Sequence, residues 1–196
     1  LAVRAVLDGY QRLRAWEREN GRPPLPHRIE HVQLITPEDQ PRLKALDVIA
    51  SMQPIHAPSD MFTADQHWGS RSVNAYAFSA LLKQGTQLIF GSDAPVESAN
   101  PFLGLHAAVT RRRVSGEPGA QGWYPEQRIS LAQALDAYTG NPARSCGLGQ
   151  SFGRITSGYR ADLIVLPRDP FRMNPQDLWQ LAPEMTLVDG RVVFQR

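Results

Sequence analysis

Two short motifs carry side chains that can bind a metal ion. One ends in Glu30-His31 and the other in Ser92-Asp93, and each follows a short apolar run that predicts a β-strand. Imidazole and carboxylate groups are common ligands of zinc and other divalent ions. Either residue alone has an ordinary structural explanation, because a histidine can pack in the core and an aspartate can cap a turn. If the strands are parallel neighbours, however, His31 and Asp93 share one rim, and we expect them to bind a divalent metal there.

The other histidines and the acid beside His31 are weaker candidates for this chemistry. Glu30 points to the opposite side of its strand, and we expect it to pair with Arg28. His27 begins the same strand, at the far rim, and His67 has no comparable motif around it. His106 lies among apolar helical positions, which predicts a packed core residue.

The hydrophobic pattern predicts the elements that position these residues. Strands and helices alternate with short connections, as in parallel crossover units. The first predicted helix starts at Leu1 without a cap and ends near Asn20-Gly21. Beyond Gly149 the pattern changes to short β runs, and Asp189-Gly190 predicts a hairpin. The predicted strands are 27–32, 48–52 and 87–90, the predicted helices are 36–46, 73–84, 101–113 and 130–138, and residues 55–70 are predicted to be a long loop.

Composition excludes several classes of protein. The chain has 196 residues, of which 42% are hydrophobic, so it can bury a core. Its 21 basic and 19 acidic residues are scattered, which argues against a nucleic-acid surface, and no apolar run is long enough to span a membrane. We expect the one basic cluster, Arg111 to Arg113, to be a solvated helix end. The single cysteine, Cys146, is consistent with a reducing compartment and hence with a cytoplasmic protein.

Several motifs follow one another along the chain, namely Arg28-Ile29-Glu30-His31, Ser51-Met52-Gln53-Pro54, Phe90-Gly91-Ser92-Asp93, Thr139-Gly140-Asn141-Pro142 and the stretch 153–165. Their order resembles the amidohydrolase superfamily, and within it amidohydrolase family 3, the YtcJ-like branch. The resemblance covers essentially the whole chain but only the C-terminal part of a family member. It implies an α/β fold, namely the C-terminal part of a (β/α)8 TIM barrel with strands six to eight in residues 1–148. Residues 149–196 would then be part of a small β-sandwich.

The resemblance also implies a chemistry, which is metal-assisted hydrolysis of a small-molecule C–N bond. A divalent ion, with zinc the first expectation, would be bound by His31 and Asp93, and Asp93 would also transfer the proton of the attacking water. His31 would either bind a second metal or donate a hydrogen bond to developing charge. We expect Gln53, His56 and Asp60, which follow the second strand, to contact the substrate rather than the metal.

Three alternatives follow from the sequence. The favoured one is a C-terminal fragment of such a hydrolase, inactive alone and binding metal weakly or not at all, because His31 and Asp93 fall short of the three protein ligands usual for catalytic zinc. The second is a non-catalytic binding or assembly module whose exposed half-barrel edges favour a homodimer, other self-association or pairing with the missing half. A phosphate-binding half-barrel is disfavoured because Asp93 would repel phosphate.

Overall fold

A computed structural model describes residues 2–196, so Leu1, where the sequence prediction starts the first helix, lies outside the described residues. Helices and strands alternate through the first half of the chain, and short strands follow in the last third. The helices are α1 Ala2–Glu19, α2 Gln40–Ala45, α3 His56–Trp68, α4 Phe78–Lys83, α5 Pro101–Thr110, α6 Leu131–Tyr138 and α7 Gly140–Ser145. The strands are β1 His27–Glu30, β2 Val48–Met52, β3 Leu88–Phe90, β4 Leu163–Val165, β5 Met185–Val188 and β6 Arg191–Gln195.

The first three strands form a parallel sheet in the order β1-β2-β3. His27 pairs with Val48 at the start of β1, and Met52 pairs with Phe90 at the end of β2. All residues of β2 and β3 are buried, as is typical of strands in a parallel sheet. The predicted parallel crossover units are therefore confirmed, and the carboxyl ends of all three strands lie on one rim.

The prediction of a long loop at 55–70 is wrong, because α3 occupies most of it. Its buried side chains are mostly small, including Ala57, Pro58 and Ala64, so the segment lacks the strong apolar stripe that marks a helix. Pro58 is tolerated because it lies in the first turn, where its missing N–H would have no helical partner. His56 and Asp60 therefore lie on a helix and not on a mobile connection.

The predicted helix at 73–84 is interrupted. A 3-10 helix covers Gly69–Asn74, and α4 begins only at Phe78. Between them Tyr76 has a left-handed backbone with φ of 48°, and its N–H donates to the carbonyl of Gln33 at 2.9 Å. Contacts from distant segments, rather than the local pattern, break this helix.

The prediction that Arg111 to Arg113 form a solvated helix end is wrong for Arg111, which is fully buried. Arg111 ends α5 in a left-handed conformation. Its guanidinium donates to the carbonyls of Trp123 at 3.0 Å and Tyr76 at 3.1 Å. It also lies over the rings of Phe78 and Trp123, at 5.3 and 4.9 Å from their centroids. This cation is a core residue that joins three segments.

The last third of the chain contains an antiparallel sheet in the order β4-β5-β6. The hairpin predicted at Asp189-Gly190 is present, and both residues have the positive φ that a tight primed turn requires. Leu178 and Leu181, in and just after a 3-10 helix at Pro175–Gln180, belong to the same hydrophobic core as α5. None of the described helices is long and apolar enough to cross a membrane.

Candidate metal centre

Three side chains meet at the carboxyl-terminal rim of the parallel sheet. His31 directly follows β1, His56 is the first residue of α3 after β2, and Asp93 follows β3. Each offers one ligand atom, and these atoms all lie within 4.8 Å of one another. Successive strands thus bring together two imidazoles and a carboxylate, a donor set suited to zinc or a similar divalent ion.

Two of these residues have an unusual backbone conformation that orients their side chains. His31 has φ of 70° and Asp93 has φ of 59°, both in the left-handed region. The turn at His31 is fixed by its N–H, which donates to the carbonyl of Ser51 at 2.7 Å. The loop at Asp93 is fixed by the N–H of Val96, which donates to the Asp93 carbonyl at 2.8 Å. Such conformations are sparsely populated and often occur at functional sites.

His56 is the most buried of the three, and its environment is consistent with a metal ligand. Its ring lies nearly parallel to that of His31, with centroids 6.2 Å apart and planes 11° apart. Its Nε2 atom is buried and has no hydrogen-bond partner among residues 2–196. Because buried polar atoms are nearly always satisfied, this nitrogen has a free coordination position that a metal ion would use. The donor set and this nitrogen therefore both fit a divalent ion.

An open cleft of about 300 Å³ surrounds the three residues. Asp60 lines it, one turn beyond His56 on α3. The Tyr76 hydroxyl donates a hydrogen bond to Asp60, and the Gln33 amide donates to the Tyr76 hydroxyl at 3.1 Å. Burial raises the pKa of Tyr76, and the bond to Asp60 raises it further, so the phenol stays a neutral donor. This network fixes the Asp60 carboxylate at the wall of the cleft.

A family model described as an amidohydrolase family matches residues 1–194 of the chain. The chain belongs to this amidohydrolase family. YtcJ of Bacillus subtilis, named as an amidohydrolase, is 30% identical over 170 residues, which are 86% of this chain and 32% of YtcJ. The N-substituted formamide deformylase of Arthrobacter pascens is 28% identical over 197 residues, covering 100% of this chain and 35% of the deformylase.

A solved metal-dependent hydrolase from Pyrococcus horikoshii has a similar structure. Its TM-score is 0.68 and its identity 31%, over 81% of this chain and 32% of that protein. The amidohydrolase-family chain thus spans about a third of the length of the relatives it matches. The resemblance predicted from the motifs is confirmed.

The sequence-predicted site residues of this amidohydrolase-family chain fall into two groups. His31, His56, Asp60 and Asp93 line the cleft. Gln53 is buried and does not line the cleft. Its Oε1 atom has no hydrogen-bond partner in the described part of the chain.

Glu30 and His106 have the environments that the sequence predicts. Glu30 accepts a hydrogen bond from Arg28 at 2.5 Å, as the strand alternation predicted. His106 is 2% exposed within α5, so its predicted packing is confirmed.

Of the residues that line the cleft, Val96 and two polar residues were not predicted from the sequence. Gln33 lies two positions after His31, and Glu97 lies four positions after Asp93. Both lie in the loops that follow strands, where barrel enzymes collect substrate contacts, and that position is the signal that could have identified them.

Proposed function

We propose that this chain supplies part of the active site of a metal-dependent hydrolase that cleaves a non-peptide C–N bond in a small molecule. The observation that carries the proposal is the convergence of His31, His56 and Asp93 within 4.8 Å. Membership of the amidohydrolase family supports the hydrolase class. The relative named N-substituted formamide deformylase supports a C–N bond as the target.

The barrel assignment belongs to the same proposal. In it, β1, β2 and β3 are strands six to eight of a (β/α)8 barrel, and residues 149–196 contribute to a β-sandwich. The parallel order of β1 to β3 supports the first part, and the antiparallel order of β4 to β6 supports the second. The division into residues 1–148 and 149–196 and a cytoplasmic location are likewise proposed.

His31, His56 and Asp93 would hold the ion, and a bound divalent ion would supply Lewis-acid activation of water and of the scissile carbonyl. The exposed Asp93 carboxylate accepts the proton that water loses as its oxygen attacks the carbonyl carbon. When the C–N bond breaks, Asp93 returns that proton to the leaving nitrogen. Asp60, held by Tyr76, orients the substrate as a hydrogen-bond acceptor.

Zinc binding tests the candidate centre. With His56 added, the candidate ligands number three, the count usual for catalytic zinc, whereas the sequence supplied only two. We therefore expect one zinc per chain by calorimetric titration. His31→Asn, Asp93→Asn and His56→Ala should each weaken binding at least tenfold, and asparagine tolerates the left-handed backbone of the first two sites.

His67→Ala is the matched control, because His67 is an exposed histidine on the same helix as His56. Cobalt, titrated in place of zinc, gives an absorption spectrum that reports imidazole and carboxylate ligation independently of heat. Equal zinc affinity in the parent chain and in Asp93→Asn would overturn the proposed centre. We propose that the 196-residue chain alone still does not turn over substrate, because it spans only about a third of the length of the relatives it matches.

A second proposed function is self-association through exposed apolar strands. The side chains of Val192, Val193 and Phe194 on β6 are 52%, 60% and 46% exposed. Exposed apolar surface on a short sheet favours pairing with another chain. This observation is compatible with a non-catalytic assembly module and with a homodimeric hydrolase.

A further inference from the structure

The open cleft around His31, His56 and Asp93 is named the metal cleft. A second cavity, of about 400 Å³, opens beside it. Its walls are largely apolar and come from the start of α3, from α5 and from the segment that follows α5. Ile55, Leu103, Ala107 and Val114 supply most of this apolar lining. The space is large enough for an aromatic ring or a branched chain.

The apolar cavity adjoins the metal cleft. Glu97 lines both spaces. Its carboxylate accepts a hydrogen bond from the Ser59 hydroxyl at 2.6 Å, and Ser59 precedes Asp60 of the cleft. Ile55 in the cavity likewise precedes His56 in the cleft. A molecule with its reacting group in the cleft can therefore extend directly into the cavity.

The guanidinium groups of the two arginines at the cavity already donate to partners within the protein. Arg113 donates to the carbonyls of Pro58 at 2.9 Å and Ser59 at 3.0 Å. Arg112 donates to the carbonyl of Gly116 at 3.0 Å and to the Gln176 side chain at 2.6 Å. These bonds hold the segment after α5 beside the cavity, which Val114 of that segment helps to line.

The remaining titratable groups at the cavity disfavour an anionic ligand. Burial lowers the pKa of His106 to about 4, so its imidazole is neutral at pH 7. The carboxylate of Glu97, at the junction with the cleft, would repel an anion.

We propose that this cavity binds a neutral apolar substituent of the substrate, of the size of one ring or a branched alkyl chain, next to the C–N bond held in the metal cleft. The inference rests on the proposed function for its orientation, since the cleft defines where the reacting bond lies. The substrates are then uncharged amide-like compounds that carry a bulky apolar group.

Binding of N-benzylacetamide to the 196-residue chain tests the proposal, with N-methylacetamide as the ligand that lacks the ring. Methyl-labelled NMR titration follows Ile55, Leu103 and Val114. We expect saturable shifts at these methyls and at the Glu97 amide with the benzyl compound, and none over the same range with N-methylacetamide. Hippurate, which adds a carboxylate to a ring-bearing amide, should bind at least fivefold more weakly.

Val114→Asp, at a position with 53% exposure, should weaken binding of N-benzylacetamide at least fivefold. Val6→Asp is the matched control, since Val6 is 44% exposed on α1 and far from the cavity. Leu103→Trp, which fills the cavity with its own ring, should abolish the shift at Ile55. Circular dichroism confirms that each variant is folded.

Shifts that map elsewhere, equal binding of the two amides, or equal loss in Val114→Asp and Val6→Asp would overturn the cavity proposal. Its failure is distinguishable from failure of the metal centre, because the NMR titration contains no metal. Zinc bound by His31, His56 and Asp93 without ring binding rejects the apolar subsite alone. Ring binding without zinc binding rejects the metal centre and, with it, the orientation of the substrate.

Discussion

The imidazole of His106 is buried within α5, near the charges of Arg112 and Asp177. Burial, with a smaller contribution from Arg112, lowers its pKa from the usual value of about 6.5 to about 4. Between these values the unfolded chain binds a proton that the folded chain does not. The free energy of unfolding is therefore unaffected by this proton above about pH 6.5 and decreases as the pH falls toward 4.

We predict that His106→Gln makes the free energy of unfolding less dependent on pH in this window. The difference between the parent chain and the variant should change by on the order of 2 kcal/mol between pH 7 and pH 4. Urea denaturation at several pH values measures it. His67→Gln, at an exposed histidine, should run parallel to the parent, and a parallel curve for His106→Gln would contradict the assignment.

At the level of residues, the motifs predicted two of the three candidate ligands. His31 and Asp93 were identifiable because each follows an apolar strand, and parallel strands deliver their ends to one rim. For His56 the sequence pattern predicts a substrate contact instead, because it predicts a loop over this segment. Its fixed position depends on α3, and the unpartnered state of its Nε2 is a property of the folded environment that no local pattern contains.

Among the elements, the end of α5 depends on Arg111. Its guanidinium satisfies carbonyls from two other segments and packs between two aromatic rings. One of those carbonyls belongs to Tyr76, whose hydroxyl binds Asp60 in the metal cleft. The end of α5 and the wall of the cleft are therefore connected by hydrogen bonds through Arg111 and Tyr76.

We predict that Arg111→Met destabilises the fold by about 3 kcal/mol or more, because it leaves buried carbonyl groups without donors. Urea denaturation followed by tryptophan fluorescence measures the change. Arg172→Met is the control, since the Arg172 side chain is 89% exposed and should change stability by less than about 0.5 kcal/mol. Stability equal to that of the parent would show that the carbonyls find other donors.

Element boundaries were predictable where local sequence decides them and not where tertiary contacts do. The strands β2 and β3 are short apolar runs, and their buried positions match the prediction. The break at Tyr76 could not be predicted, because its left-handed backbone is held by Gln33 and Arg111 from distant parts of the chain. The burial of Arg111 follows from the same contacts.

On the scale of the whole molecule, the sheet of β4 to β6 leaves apolar side chains in solvent. Ile164 and Val165 on β4 are 50% and 45% exposed, in addition to the exposed residues of β6. The parallel sheet also has outer edges at β1 and β3 among the described strands. Each of the two sheets therefore offers a surface through which copies of the chain could associate.

We predict that the chain self-associates as its concentration rises, mainly through the apolar side chains of β6. Sedimentation velocity over a hundredfold concentration range should show an increasing weight-average mass. Val193→Lys should shift the association to higher concentration by at least fivefold, because it places a charge in the apolar surface. Val6→Lys on α1 is the control, and a monomer at all concentrations would exclude the assembly alternative.

The left-handed backbones at His31 and Asp93 have a consequence for which amino acids could replace them. Among metal-binding side chains, aspartate and histidine are the types that are enriched in this conformation. Glutamate binds the same ions, yet at position 93 it would combine a longer side chain with a backbone it seldom adopts. Ligands that coordination chemistry treats as interchangeable are therefore not interchangeable at the proposed metal centre, because the main-chain conformation at each strand end restricts which residue types fit there.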